Sequence, residues 1–283
     1  MTRALEDRAV IVTGAARGLG RAYAIAAAQQ GAAVVVADID AVGAAAVASE
    51  IAIGGGYAVS HAASVSAAGT GEALVQLCRD AFGTVDGLIN NAGILSPGLA
   101  TEQDAATIRH TIDTNVTGVI NCGTAAMRAM SGRGGAIVNI VSGALLGSDR
   151  LALYGATKAA VLGLTYGWAL EGAKIGVRVN ALAPLAWTDM SNEMGGDDAG
   201  KGGAADAIAP AAVYLLSDRS AALNGQVLRA DGTQLALMAP PAFTHAVPGR
   251  DWNLDTIDEA LAGRLSVGLA PVGLGAGAPA MQV

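Results

Sequence analysis

Cysteine is scarce in this chain of 283 residues: there are two, Cys78 and Cys122, in separate apolar segments without metal-ligand spacing. That excludes a disulfide framework or a thiolate metal site as the organising element. Two buried thiols in a reducing, cytoplasmic setting are expected instead. Histidine is nearly as rare, and His61, His110 and His245 stand apart from one another and from carboxylate partners, as structural residues would. Charged residues make up 14% of the chain, the net charge is -7, and no cluster of Lys and Arg occurs. Neither nucleic acid nor an anionic lipid surface would find a basic field here, so any phosphate must be held by local geometry. The N-terminus, M-T-R-A-L-E-D-R, lacks the basic stretch and apolar core of a signal peptide. Gly, Ser, Gln and Pro interrupt the charge-free stretches, so no membrane span is expected. Aromatic residues are only 4%. Heavy use of Ala and Gly in their place suggests helices packed closely on a sheet.

What is present is a large apolar fraction, 52%, in a chain long enough to bury about three quarters of its unfolded surface without metal or disulfide. Strand and helix patterns alternate. A strand from about Arg8 to Thr13 breaks into T-G-A-A-R-G-L-G and then a helical run; A-A-V-V-V-A-D ends at Asp38; a third strand covers about Tyr57 to Ala62, and a helix about Gly71 to Phe82. A fourth strand ends at Asn91, Ala92 and Gly93, followed by a long helical region from about Glu102 to Met130. Ala136 to Val141 reads as a fifth strand, V-R-V-N-A-L-A as a sixth ending at Pro184, and Q-V-L-R-A-D-G as the last, after a helix at about Ala207 to Leu216. This alternation predicts a single α/β domain, a Rossmann-like doubly wound parallel sheet of about seven strands with ligands at the strands' carboxyl ends. The dinucleotide-binding and catalytic unit is placed at residues 1–238. Residues 239–283 read as an extension with a short helix, Asp255 as its N-cap, and a disordered tail from Ser266 to Val283. The Met-, Gly- and Asp-rich segment Leu185 to Ala204 has the character of a lid.

The chemistry gathers around S-G-A-L-L-G-S-D-R-L-A-L-Y-G-A-T-K. Tyr154 and Lys158 are four residues apart on a helical run, hence on one face of it. An ammonium beside a phenol stabilises the phenolate and is expected to bring its pKa down from about 10. Ser142, at the end of the fifth strand, can point its hydroxyl at whatever Tyr154 protonates. An ordinary pair of surface neighbours would look the same in isolation. Gly14, Gly18 and Gly20, between a strand and a helix, form either a pyrophosphate-binding turn or only a tight connection. Asp38, about twenty residues beyond Gly18, either accepts hydrogen bonds from an adenosine ribose and repels a 2'-phosphate, favouring NAD, or caps the next helix. Arg17 would greet that phosphate, so NADP stays open. Asn115 either satisfies a local carbonyl or bends its helix to hold a water. Trp168, Trp187 and Trp252 would line a substrate cavity or, for the first and last, a subunit contact.

Taken together, T-G-A-A-R-G-L-G, N-N-A-G, Asn115, Ser142 and Y-G-A-T-K resemble the short-chain dehydrogenase/reductase family over about Arg8 to Gly232. G-L-G-R-A-Y-A, N-N-A-G-I-L, A-L-E-G and N-A-L-A-P further resemble the (3R)-hydroxyacyl-CoA dehydrogenase domain of multifunctional β-oxidation enzymes and its bacterial relatives. The resemblance implies an NAD(H)-dependent oxidoreductase interconverting a secondary alcohol and a ketone, with 3-hydroxyacyl-CoA or hydroxysteroid oxidation as the alternative. A cofactor-binding regulatory or scaffold protein is the non-enzymatic one. It implies Tyr154 as general acid/base, Lys158 on the nicotinamide ribose, Ser142 on the substrate oxygen and Asn115 anchoring a water. On the cofactor side it implies Gly14, Arg17, Gly18, Leu19 and Gly20 at the pyrophosphate turn, Asp38 and Ile39 after the second strand, and Ser64 and Val65 at the adenine. Asn91, Ala92 and Gly93 would lie along the adenosine side, with Pro184 and Thr188 near the carboxamide. Ser142 stands one residue closer to Tyr154 than in most relatives. A homotetramer acting on a small-molecule substrate is the expected assembly.

Overall fold

The computed structural model describes residues 3–186, 203–243 and 252–261. Thr188, Trp187, His245, most of the segment Leu185 to Ala204 and the tail from Ser266 lie outside the described residues.

Apolar runs without alternation make strands buried on both faces, and the first two show it: β1 (Ala9–Thr13) and β2 (Ala33–Asp38) are Val- and Ala-rich and almost wholly enclosed. With β3 (Tyr57–Ala62), β4 (Gly87–Asn90), β5 (Gly135–Ile140), β6 (Val177–Pro184), β7 (Val227–Ala230) and β8 (Leu235–Met238) they form one sheet in the order β3-β2-β1-β4-β5-β6-β7-β8. Seven strands run parallel, and β8 pairs antiparallel with β7. The sheet is thus a Rossmann-like one with an eighth strand beyond the expected seven. Its hairpin is made by Asp231, whose carboxylate accepts the N–H groups of Thr233 and Gln234 at 2.8 and 2.7 Å, and by Gly232 at φ +88°.

Helices cover both faces. α1 (Gly18–Gln29), α2 (Ala41–Ile53) and α7 (Ala205–Leu216) lie on one side over Val10, Val12, Val34, Val36, Val138 and Leu182. α3 (Thr70–Phe82), α5 (Gly118–Met130) and α6 (Ala152–Ala173) cover the other, over Ile11, Val35, Leu88, Ile137 and Val179. Small side chains set the spacing. Gly123 of α5 lies against the Trp168 ring, and this tryptophan belongs to the core.

The long helical region is broken. α4 (Ala105–Ile112) passes through a π turn, Asp113–Thr117, before α5 begins. In the C-terminal part, α8 (Leu254–Ala260) is capped by Asn253 in a reciprocal capping box with Thr256; Asp255 sits two residues past the cap, inside the first turn, and is not the cap.

The chain leaves β1 for β2 and β3 on one side and then crosses to β4 on the other. The strand order therefore reverses between β1 and β4, and the crevice outside their carboxyl ends is where such sheets take ligands.

Candidate active site

At the β1 side of that crevice the turn after Thr13 is held shut by side chains. Gly14 has φ +64°, and a Cβ there would stand 2.7 Å from the Ala92 Cα; one on Gly20 would strike the Gly14 carbonyl oxygen. Asn91 donates its amide to the carbonyls of Thr13 and Gly14 at 3.0 and 2.9 Å. Thr13 in turn accepts the N–H groups of Asn91 and Ala92, both at 3.1 Å. Asn91 therefore shapes the glycine turn with its side chain, and Thr13, which sequence reasoning missed, does so with it.

α1 then starts at Gly18 without a side-chain cap from Arg17 and without an acid in its first turn, whereas Asp40 and Asp104 cap α2 and α4. The first amides of α1 and the positive end of its dipole face the glycine turn, as a pyrophosphate would need. Asp38 ends β2 beside this turn and accepts the N–H of Ala16 at 2.9 Å and of Asp40 at 3.0 Å. Capping α2 falls to Asp40, which accepts from Val42 and Gly43, and not to Asp38. Ile39 and Arg17 are exposed nearby. Ser64 bonds Ser66 at 2.8 Å, while the Val65 carbonyl accepts from Asn121 of α5 at 3.0 Å, fixing the loop after β3. These residues fit a dinucleotide: cradle, uncapped helix start and carboxylate lie in line along the carboxyl edge.

On the other side of the crevice, β5 ends at Ile140 and Ser142 follows. Its Oγ accepts the Ala144 N–H at 3.2 Å at the start of a 3-10 turn, Gly143–Leu146, and lies beside the Tyr154 phenol. The shortened connection still reaches. Tyr154 lies in the first turn of α6, and the Lys158 Nζ stands 5.6 Å from its ring centre and donates to the Ile140 carbonyl at 2.8 Å. Gly93 faces this group: a Cβ there would lie 3.2 Å from Asn115 Oδ1 and 3.6 Å from Lys158 Nζ.

Asn115, fully enclosed in the π turn, does satisfy backbone, but that of Ile94 and not of its own helix. Its Oδ1 accepts the Ile94 N–H at 2.8 Å, and its Nδ2 donates to the Ile94 carbonyl at 2.9 Å and to Thr157 Oγ1 at 3.1 Å. The pairing is made from within the π turn Asp113–Thr117.

The electrostatics differ from the expectation drawn from the Tyr-Lys spacing. Burial pushes the Tyr154 phenol up to about 12, with the Ser142 hydrogen bond pulling against it. Burial likewise pushes Lys158 down to about 8. Desolvation disfavours the charged form of both groups, so it outweighs the help that the ammonium was expected to give the phenolate. Among the described residues no group of His, Cys, Asp and Glu is arranged to hold a metal, and no helix is long and apolar enough to cross a membrane.

The sequence profile of short chain dehydrogenases matches residues 8–198. The chain is 35% identical over 235 residues to the (2S)-[(R)-hydroxy(phenyl)methyl]succinyl-CoA dehydrogenase subunit of Thauera aromatica, covering 79% of this chain and 95% of that one. It is 37% identical over 247 residues to an L-rhamnose 1-dehydrogenase (NAD(P)(+)) of Azotobacter vinelandii, covering 81% and 96%. A crystal structure of a short chain dehydrogenase from Mycobacterium avium superposes with a TM-score of 0.86 at 29% identity, over 96% of this chain and 99% of that one.

Proposed function

Since the chain belongs to the short-chain dehydrogenase family, whose members are nicotinamide-dinucleotide-dependent oxidoreductases of alcohols and ketones, we propose that it interconverts a secondary alcohol and its ketone using NAD(H), with Ser142, Tyr154, Lys158 and Asn115 as the working residues. The observation that carries this reading is the convergence of Ser142, Tyr154, Lys158 and Gly93 at the carboxyl edge, across the crevice from the glycine turn. A bound nicotinamide dinucleotide supplies the hydride acceptor or donor that no side chain provides. Ser142 donates to the substrate oxygen and orients it. In oxidation Tyr154 takes the hydroxyl proton as the carbinol hydrogen departs with its electron pair; in reduction it gives that proton back. Lys158 holds a positive charge beside the phenol and reaches the ribose side. Positioned acid/base help of this kind contributes ~10²- to 10⁴-fold, and orientation of the reactants supplies much of the rest.

Asp38 supports NAD over NADP, because a carboxylate at the end of β2 repels a 2'-phosphate; Ile39, Ser64 and Val65 would flank the adenosine, Leu19 would add a backbone amide to the pyrophosphate site, and Pro184 would lie near the carboxamide with Thr188. Leu99, Leu146 and Leu185 follow the carboxyl ends of β4, β5 and β6 and are partly exposed, and Arg150 beyond them pairs with Glu102 at 3.5 Å. Such a rim favours an alcohol with an apolar body. A CoA thioester is the second reading, favoured by the Thauera aromatica relative.

Residues 239–283 would be an extension to the catalytic unit 1–238. A homotetramer is supported by the exposed face of α6, where Ala156, Ala159, Ala160 and Gly163 carry no charge and a Cβ on Gly163 or Gly167 would meet nothing. Free, buried Cys78 and Cys122 suit a reducing cytoplasm. The test is NADH formation across a panel of secondary alcohols and hydroxyacyl thioesters, with Tyr154→Phe as control. Turnover in the wild type and dinucleotide binding without turnover in the variant are expected; binding without turnover in either would favour a scaffold.

A further inference from the structure

Thr157 stands between Tyr154 and Lys158 and has no part in the acid/base reading. It is 3% exposed, and its hydroxyl makes two hydrogen bonds: it donates to the Tyr154 carbonyl at 2.7 Å and accepts from Asn115 Nδ2 at 3.1 Å. The first is what a threonine inside a helix commonly does. The second is not, because it comes from the enclosed amide of another element. With both N–H bonds of Nδ2 used, on Ile94 and Thr157, and Oδ1 occupied by the Ile94 N–H, the Asn115 amide can turn only by abandoning buried partners. The loop after β4, the π turn and the first turn of α6 are thereby fastened at one hydroxyl.

We propose that Thr157 is a positioning residue of the redox site: its hydroxyl ties the Asn115 amide to the Tyr154 backbone and so fixes where the phenol stands relative to Ser142. The inference rests on the acid/base role given to Tyr154 above. Thr157→Val keeps the shape and removes both bonds. Its kcat, counted per dinucleotide-binding site, falls by about 10²-fold, the cost of a misplacement near 1 Å, while the dissociation constant for NAD is unchanged. The rise of the oxidation rate with pH moves to higher pH, because a phenol that drifts from Ser142 loses the bond that opposes burial. In ligand-free protein the ultraviolet titration of Tyr154, read as the difference from Tyr154→Phe, moves the same way. Thr157→Ser restores most of kcat and both titrations.

A Thr157→Val enzyme with wild-type kcat and titration overturns the proposal. So does a Thr157→Ser enzyme as poor as Thr157→Val, since the methyl and not the hydroxyl would then matter. If Thr157→Val yields little folded protein, Thr157→Ala is measured per site by fluorescence titration with NADH; a loss confined to the number of sites, with kcat per site intact, counts against it equally. Wild-type protein without turnover, or an active Tyr154→Phe, removes the acid/base reading and this inference with it.

Discussion

Ser142, in the loop after β5, lies beside the Tyr154 phenol in the first turn of α6, and its hydroxyl opposes the burial that pushes the phenol up to about 12. The pH behaviour of the enzyme follows from it. With Tyr154 in the proposed acid/base role, oxidation needs the phenol deprotonated, so its rate is expected to climb from neutral pH toward the alkaline range. Reduction would need the phenol protonated, which holds over the same range, but Lys158 loses its charge above about 8, so the reductive rate is expected to be level up to there and to decline beyond, and the rise in oxidation to become shallower. Initial rates in both directions from about pH 6 to about pH 10 check this, and an oxidation rate flat across the range would contradict it.

Asp38 spends one bond of its carboxylate on Ala16 and one on Asp40, leaving lone pairs and a negative charge toward the crevice. Asp38→Asn keeps the size and drops the charge. The ratio of kcat/KM for NAD to that for NADP is expected to fall about tenfold, equivalent to about 1.4 kcal/mol of discrimination. An unchanged ratio, or a wild type that prefers NADP, would shift the role to Arg17.

Tyr23, in α1, is fully enclosed, its hydroxyl has no hydrogen-bond partner among the described residues, and burial pushes its pKa well above the usual phenol value. Folding strips that hydroxyl of water for nothing in return. Tyr23→Phe should raise stability by about 1 kcal/mol, seen as a higher Tm with kcat unaltered; a lower Tm would mean that the hydroxyl is satisfied.

Arg178 reaches from β6 to the end of α7. Its guanidinium donates to the carbonyls of Leu215, Ser217, Ser220 and Leu223 at 3.0 to 3.4 Å and to the Ser220 hydroxyl at 3.0 Å. A cation at a helix C-terminus is favoured by the dipole as well as by the bonds. Arg178→Met is expected to cost about 2 to 3 kcal/mol in urea unfolding, and Arg178→Lys to recover only part of it, because a single ammonium cannot span the fork.

The central parallel strands were legible because they are buried on both faces and read as runs of Val, Ile and Ala, as Ala9–Thr13 and Ala33–Asp38 do; the edge strand Tyr57–Ala62 also falls at the expected bounds, although it is largely exposed. β8 was not, being four residues long with Leu235 and Leu237 exposed, although the Asp231-Gly232 pair before it is a hairpin signal. Spacing showed that Tyr154 and Lys158 share a face, but burial decides the phenol's acidity and spacing carries no information about burial. Asn115 stood out as a polar residue in an apolar helix. That its partners are Ile94 and Thr157, from two other segments, is a tertiary fact with no local signature. Thr13 escaped notice for the same reason: its two donors lie beyond β4.

The π turn that holds Asn115 adds one residue to the helical count, and one residue is a rotation of ~100°. Deleting a residue there would turn the π turn into plain α-helix and swing Cys122, Ala126 and Met130, all packed in the core, away from the positions they hold. The bulge is thus a phase correction for the downstream helix as well as the seat of an amide.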